Sequence, residues 1–120
     1  MNNRRLCESD YRLLQVIWDN EPIRSGKLVE LCYERLGWKK STTYTMLKKL
    51  SLKALVKNEN TLVTSLVSRD QVQTCESDLF VRQTFSGSLP RFLVAFLNGK
   101  KLSQQEAEEL KALIDQYRED

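Results

Sequence analysis

The sequence predicts a mostly α-helical chain with one small β-hairpin, and three observations support this fold class. Several segments repeat apolar residues at the spacing of an amphipathic helix. Two short runs rich in β-branched residues, 54–57 and 62–67, flank the polar turn 58–60 and read as paired strands. The two helices before this hairpin are joined by a short link that holds a single glycine, Gly37.

Three predicted helices precede the hairpin. The first runs from about residue 8 to 19 and ends because Pro22 disfavours helix at the residue before it. The second spans about 25–36, with Gly37 as a left-handed stop, and the third spans about 41–52. Two short helices with a tight link are typical of a helix-turn-helix, and the hairpin that follows makes it winged.

Three more helices are predicted after the hairpin. The fourth covers about 69–85 and the fifth about 89–97, and Ser103 begins a capping box for the sixth. We therefore expect two domains: a winged helix-turn-helix over residues 1–68 and a helical dimerisation segment over residues 69–120.

Composition excludes several classes of protein. The chain has no histidine, no phosphate-cradling glycine loop and no Cys/His cluster, so we expect no enzyme activity, no metal site and no cofactor. Cys7, Cys32 and Cys75 lack paired spacing, which favours a reducing, cytoplasmic environment. No apolar run resembles a signal peptide or approaches a membrane span, so no membrane insertion is expected.

Charge is divided unevenly along the chain. Residues 1–67 carry 12 Lys/Arg and 7 Asp/Glu, whereas residues 68–120 carry 7 and 9. This distribution favours a polyanion as the partner of the first part and protein as the partner of the second. Chance variation within a mildly basic protein would explain the same numbers.

The third helix has two contrasting faces. Thr43, Met46, Leu47 and Leu50 share one face, which should point to the core. The rest offers hydroxyls and ammonium groups suited to base edges and phosphates in a major groove, although an ordinary solvated face would look similar. The predicted DNA-binding residues are Lys39, Lys40, Ser41, Thr42, Tyr44, Thr45, Lys48 and Lys49, with Lys57 and Asn60 on the wing, which could equally be a plain exposed turn.

The helices after the hairpin carry more apolar surface than a small domain can bury, which usually marks a protein interface. A two-fold homodimer would cover this surface and place two recognition helices on a palindromic site in double-stranded DNA. Packing within a single chain is the alternative. The predicted dimerisation residues are Leu79, Leu89, Phe92, Leu93, Phe96, Leu97, Leu110, Leu113, Ile114 and Tyr117.

From Leu6 to about Tyr117 the chain resembles the penicillinase-repressor family, the BlaI/MecI group of bacterial winged-helix repressors that also includes the CopY proteins. The order and spacing of several motifs carry this resemblance. They are Asp10-Tyr11, Val16-Ile17-Trp18, Trp38, the run from Ser41 to Leu50, Leu66-Val67-Ser68, Phe85-Ser86-Gly87-Ser88-Leu89, Ala95-Phe96-Leu97 and Leu102-Ser103.

The resemblance implies a dimer that binds a two-fold operator and blocks transcription. It also implies that Ser41, Thr42, Thr45 and Lys49 face DNA and that the helices after the wing form the dimer. A membrane-bound metalloprotease sensor, which inactivates the best-known members, would be a partner by the same resemblance.

The chain departs from the family pattern at several positions. Ala54 stands where a glycine usually ends the third helix, which predicts strain at that turn, and Cys7 replaces the usual Ser or Thr cap. Ala95-Phe96 replaces the Asn-Phe bond at which the antibiotic-resistance repressors are cut, and no cysteine-rich metal tail follows. Ser65 replaces a frequent proline, and the stretch Thr61-Leu62-Val63 lacks the wing's common aromatic residues.

Two other functions remain open from sequence. One is a winged helix that serves only as a protein-interaction module without DNA binding. The other is a thiol-sensing regulator, because a cysteine at a helix N-terminus, as predicted for Cys7, has its thiolate favoured.

Overall fold

The structure is a computed structural model that describes residues 6–119. Over this range the chain forms six α-helices and three short strands. In chain order they are α1 (Glu8–Asn20), β1 (Ile23–Arg24), α2 (Ser25–Leu36), α3 (Lys40–Leu52), β2 (Val56–Glu59), β3 (Leu62–Ser65), α4 (Arg69–Phe85), α5 (Leu89–Leu97) and α6 (Gln104–Tyr117). This order confirms the predicted fold class, a winged helix-turn-helix followed by helices.

The chain divides into two compact units, of which the first ends at Phe80 and the second begins at Val81. The start of α4 belongs to the first unit because it is fixed to α1. The indole Nε1 of Trp18 donates to the Val67 carbonyl over 3.0 Å, and Arg69 pairs with Asp19 at 2.8 Å. The predicted functional division after residue 68 stays a prediction.

The core of the first unit lies between α1, α2, α3 and the sheet. On α3, the side chains of Thr43, Leu47 and Leu50 are buried and Met46 packs against them, which confirms the predicted inner face. Because this face is apolar and the opposite face is not, α3 is held from one side only. The buried apolar residues around it are Leu13, Leu14, Val16, Ile17, Ile23, Leu28, Cys32, Val56 and Val63.

The sheet is antiparallel with strand order β1-β3-β2. Its hairpin turns at Asn60 and Thr61, which have φ of 53° and 64°, and Glu59 pairs with Leu62 across the turn. The turn predicted at residues 58–60 was therefore misplaced, since the turn residues are Asn60 and Thr61. A two-residue turn with both residues left-handed matches the twist of the paired strands. Strand β1 was not predicted, since two residues carry no periodicity.

Left-handed residues end α2 and follow α3. Gly37 has φ of 70° and its N–H bonds to carbonyls of the last turn, as the sequence predicted. Ala54 has φ of 62°, a conformation in which its Cβ lies too close to the backbone. The predicted strain at this turn is thus present.

A fully buried carboxylate connects α1 to α3. Lys53 Nζ lies 2.9 Å from Asp10 Oδ2 and Lys49 Nζ lies 3.2 Å from Oδ1, and the backbone N–H of Cys7 donates to Oδ2 over 3.2 Å. Burial by itself would raise the pKa of Asp10, but the bonds from Lys53, Cys7 and Lys49 together hold it below its ordinary value of 3.8. The ion pairs fix the C-terminal half of α3 against the start of α1.

Replacing Ala54 with glycine should stabilise the first unit by about 1 kcal/mol, because glycine adopts the left-handed conformation without the Cβ clash. Gly37→Ala makes the reverse change, from glycine to alanine at a left-handed position, and should cost about 1 kcal/mol. Urea unfolding of both variants beside the parent measures the two changes. If both substitutions changed the free energy of unfolding equally and in the same direction, the strain at Ala54 would be contradicted.

Asp10→Asn should lower the free energy of unfolding at pH 7 by about 1–3 kcal/mol, since it removes charge-assisted bonds from a buried site. The pKa of Asp10 is depressed in the folded state, so its contribution exists above pH 3.8 and disappears as pH falls through the folded pKa. Urea midpoints of parent and variant should therefore approach each other as the pH falls below 3.8. As a control, Asp19→Asn removes an exposed pair and should cost less than about 1 kcal/mol; a constant difference between parent and Asp10→Asn at every pH would contradict this role.

Candidate nucleic-acid interface

The outer side of α3 is polar, exposed and free of acidic residues. Of the predicted contacts, all of those from residues 39 to 48 have exposed side chains, and the sequence of α3 contains no Asp or Glu. Tyr44 is 38% exposed, and its hydroxyl lies 3.5 Å from Ser25 Oγ on α2. The exposed set, which we call the recognition face, is Lys39, Lys40, Ser41, Thr42, Tyr44, Thr45 and Lys48.

The N-terminal end of α3 gathers donors and positive charge. Lys39 is the N-cap, and a lysine side chain cannot accept a bond from the first-turn N–H groups; within the described chain none caps them there. Lys40 follows, so two ammonium groups adjoin the positive end of the helix dipole. Such an end is suited to a phosphate oxygen.

Lys49, predicted from sequence as a DNA contact, is placed differently from its neighbours. Its ammonium lies 3.2 Å from Asp10 Oδ1 and 3.5 Å from Cys7 Sγ. The Asp10 carboxylate raises the pKa of this ammonium. No sequence pattern indicates this pairing, because Asp10 lies on another helix. The pair ties Lys49 to α1, and its predicted contact with DNA stays a prediction.

The wing carries the last two predicted contacts, and their role in DNA binding stays a prediction. Lys57 is exposed but pairs with Glu59 at 3.4 Å, and Asn60 is exposed within the turn. Sequence reasoning missed Arg24, whose Nη1 donates to the Asn60 carbonyl over 2.9 Å and to Thr61 Oγ1 over 3.3 Å. Only the pairing of β1 with β3 reveals that Arg24 adjoins the wing.

In the second unit, none of the described residues of α5 or α6 is buried. Phe96 is 54% exposed, Ile114 57% and Tyr117 81%. Leu79, predicted for the same interface, is only 7% exposed. Its side chain is already covered within the chain, so it presents little surface in this structure, and its place in the interface stays a prediction.

An open apolar groove of about 490 Å³ lies beside α5. Its wall includes Phe85 and Val94, and the Phe85 ring meets Phe92 edge-on at 5.5 Å. Ala95 and Phe96, which match the family's cleavage position, lie inside α5. The second unit thus leaves large apolar side chains of both α5 and α6 exposed.

No helix within residues 6–119 is both long enough and apolar enough to cross a membrane.

Comparison with known proteins identifies the family. A family model described as Penicillinase repressor matches residues 6–116. The methicillin resistance regulatory protein MecI of Staphylococcus aureus (strain N315) is 22% identical over 121 residues, covering 96% of this chain and 98% of the relative. The penicillinase repressor of Bacillus licheniformis is 20% identical over 118 residues, covering 95% and 92%. The chain therefore belongs to the penicillinase repressor family of transcriptional repressors.

Proposed function

We propose that this protein represses transcription by binding a two-fold operator in double-stranded DNA as a homodimer, with α3 of each protomer in a major groove. The observation that carries the proposal is the recognition face. Its hydroxyl and ammonium groups are exposed, whereas the opposite side of the same helix is buried in the core.

The composition of the recognition face fits the chemistry of a groove. Threonine and serine hydroxyls reach base edges or phosphates, and a threonine methyl can contact the methyl group of thymine. Thr42 and Thr45 would supply these contacts, while Lys48 would neutralise a phosphate. The absence of acidic residues from α3 means that nothing on the helix repels the phosphate backbone.

Phosphates would also satisfy the N-terminal end of α3. Its first-turn N–H groups have no side-chain cap in the described chain, and the ammonium groups of Lys39 and Lys40 adjoin them. A phosphate at this position would gain from both the helix dipole and the two charges. It would fix the angle at which the recognition face enters the groove.

The apolar side of the second unit supports dimerisation. Leaving Phe96, Ile114 and Tyr117 in water forgoes the stabilisation of burial, about 1.5–3 kcal/mol for each large apolar side chain. Two-fold pairing is the commonest way to cover such a surface with a copy of itself. A two-fold dimer would then present two recognition faces to a palindromic site.

Thr42→Ala and Thr45→Ala should each weaken binding to the operator about tenfold or more, because a lost base contact costs about 1–3 kcal/mol. Binding to unrelated duplex should change little. Thr74→Ala on the exposed side of α4 is the matched control and should bind as the parent does. Gel-shift titrations with the duplex upstream of the protein's own gene measure this, and equal losses on both duplexes would refute base readout.

Lys48 and Lys49 are neighbours of equal charge with different expected roles. Lys48→Ala should reduce the slope of log K against log salt by about 0.9 per protomer. Lys49→Ala should leave that slope unchanged and lower stability, because its ammonium pairs with Asp10. A slope that falls with Lys49→Ala would restore Lys49 as a phosphate contact; a parent protein without any salt-dependent affinity would favour a protein-interaction module instead.

Phe96→Asp should raise the dissociation constant of the dimer by at least about a hundredfold, because it would place a carboxylate in each of two apolar contacts. Gln105→Asp, an exposed polar position of α6, is the matched control and should leave the dimer intact. Analytical ultracentrifugation measures the association, with circular dichroism to verify that the helices persist. A parent chain that sediments as a monomer at micromolar concentration would overturn the dimer.

A further inference from the structure

The wing carries no net charge of its own. Across β2, the turn and β3 the charged residues are Lys57 and Glu59, and their side chains pair at 3.4 Å. A neutral, internally paired hairpin has little attraction for a phosphate backbone. If the wing touches DNA, its positive charge has to come from another element.

Arg24 brings a cation to the tip of the wing. Its guanidinium Nη1 donates to the carbonyl of Asn60 and to Oγ1 of Thr61, the two left-handed residues of the turn. Next along the chain, the backbone N–H of Ser25 donates to the Thr61 carbonyl over 2.8 Å. These bonds hold the turn against the junction of β1 and α2.

The guanidinium has donors left for another ligand. An arginine has five N–H groups in a rigid fork, and the bonds described for Arg24 use only Nη1. Arg24 as a whole is exposed, and within the described chain its hydrogen bonds do not involve Nε or Nη2. A planar fork of this kind matches two oxygens of a phosphate.

Arg24 is also an unusual residue for its place in the backbone. It is the N-cap of α2, where Ser, Thr, Asp or Asn would bond the first-turn N–H groups. Its side chain cannot accept such a bond, and a cation is disfavoured at the positive end of a helix. Within residues 6–119, the helices that follow the wing begin after serines instead, and Ser88 and Ser103 cap theirs by hydrogen bonds.

Arg24 lies close to the recognition face. The next residue, Ser25, has its hydroxyl 3.5 Å from the hydroxyl of Tyr44 on α3. A duplex seated on α3 would therefore pass near the wing tip and the guanidinium that holds it.

We infer that Arg24 both positions the wing turn and supplies the wing's phosphate contact, through the donors that Asn60 and Thr61 leave unused. The inference rests on the proposed function, because it requires a DNA duplex on α3. It predicts two separable contributions, one from the charge of residue 24 and one from the geometry of the fork.

The experiment measures operator affinity across a salt series for the parent dimer and for Arg24→Lys, Arg24→Gln and Arg24→Ala. Arg24→Ala and Arg24→Gln should lose about tenfold in affinity and reduce the log–log salt slope by about 0.9 per protomer. Arg24→Lys should keep the parent slope and lose less than Arg24→Ala, because charge remains while the fork is gone. Arg12→Ala removes a charge from the exposed side of α1 as a control and should leave the slope unchanged.

Thermal unfolding of the free proteins separates this role from a brace for the wing. If Arg24→Ala and Arg24→Lys lowered stability and affinity together and the slope stayed at the parent value, Arg24 would be a structural brace only and the inference would fail. Parent affinity and slope in Arg24→Ala would overturn it as well. A parent protein that binds no duplex would instead refute the proposed function, so the two failures are distinguishable.

Discussion

The asymmetry of α3 is the constraint on which the rest of the structure depends. Core contacts along one side are enough to hold a helix when the residues of its other side are polar and need no burial. The residues of α3 satisfy this condition. Leu47 and Leu50 fix its inner face, and the buried Asp10 fixes its C-terminal half through Lys49 and Lys53. The recognition face is therefore held in place mainly by contacts on the other side of its helix.

The positions of the helices could be predicted from sequence because helical periodicity is a local property. Gly37 and Ser103 mark helix boundaries through short-range chemistry, and the inner face of α3 follows from spacing alone. The hairpin was predicted, but its register was not. The primed turn at Asn60 and Thr61 lacks the glycine that usually identifies such a turn.

The contacts that the structure adds to the predicted site have a common physical origin. The exposed members of the recognition face share a helix, so their spacing placed them correctly on its outside. Lys49 is paired with a residue of α1, and Arg24 bonds to a turn that lies far away in sequence. Pairing between elements depends on tertiary packing, which leaves no periodic pattern in the sequence. The charge of a lysine or arginine therefore does not show whether its side chain is already paired.

The helices of the second unit differ from α3, because their exposed sides carry large apolar side chains. The outer side of α3 is exposed and polar, whereas α5 and α6 carry exposed apolar side chains within the described chain. Helices of about two to four turns have little stability in isolation, so these two helices would gain from a surface that covers their apolar side chains. A second copy would satisfy this need, since a two-fold axis that buried Phe96 and Ile114 would also pair two recognition faces.

In the proposed complex, charge and shape would have separate tasks. Counting Lys39, Lys40, Lys48 and Arg24 on each protomer, a dimer would neutralise about eight phosphates and have a log–log salt slope of about −7. That contribution is independent of sequence and would operate on any duplex. Discrimination between operators would fall to the hydroxyls of Thr42 and Thr45, which lie between these charges. The cations would bring the helix to the groove and set its angle, and the short hydroxyls can select bases only because α3 is already held rigid from its buried side.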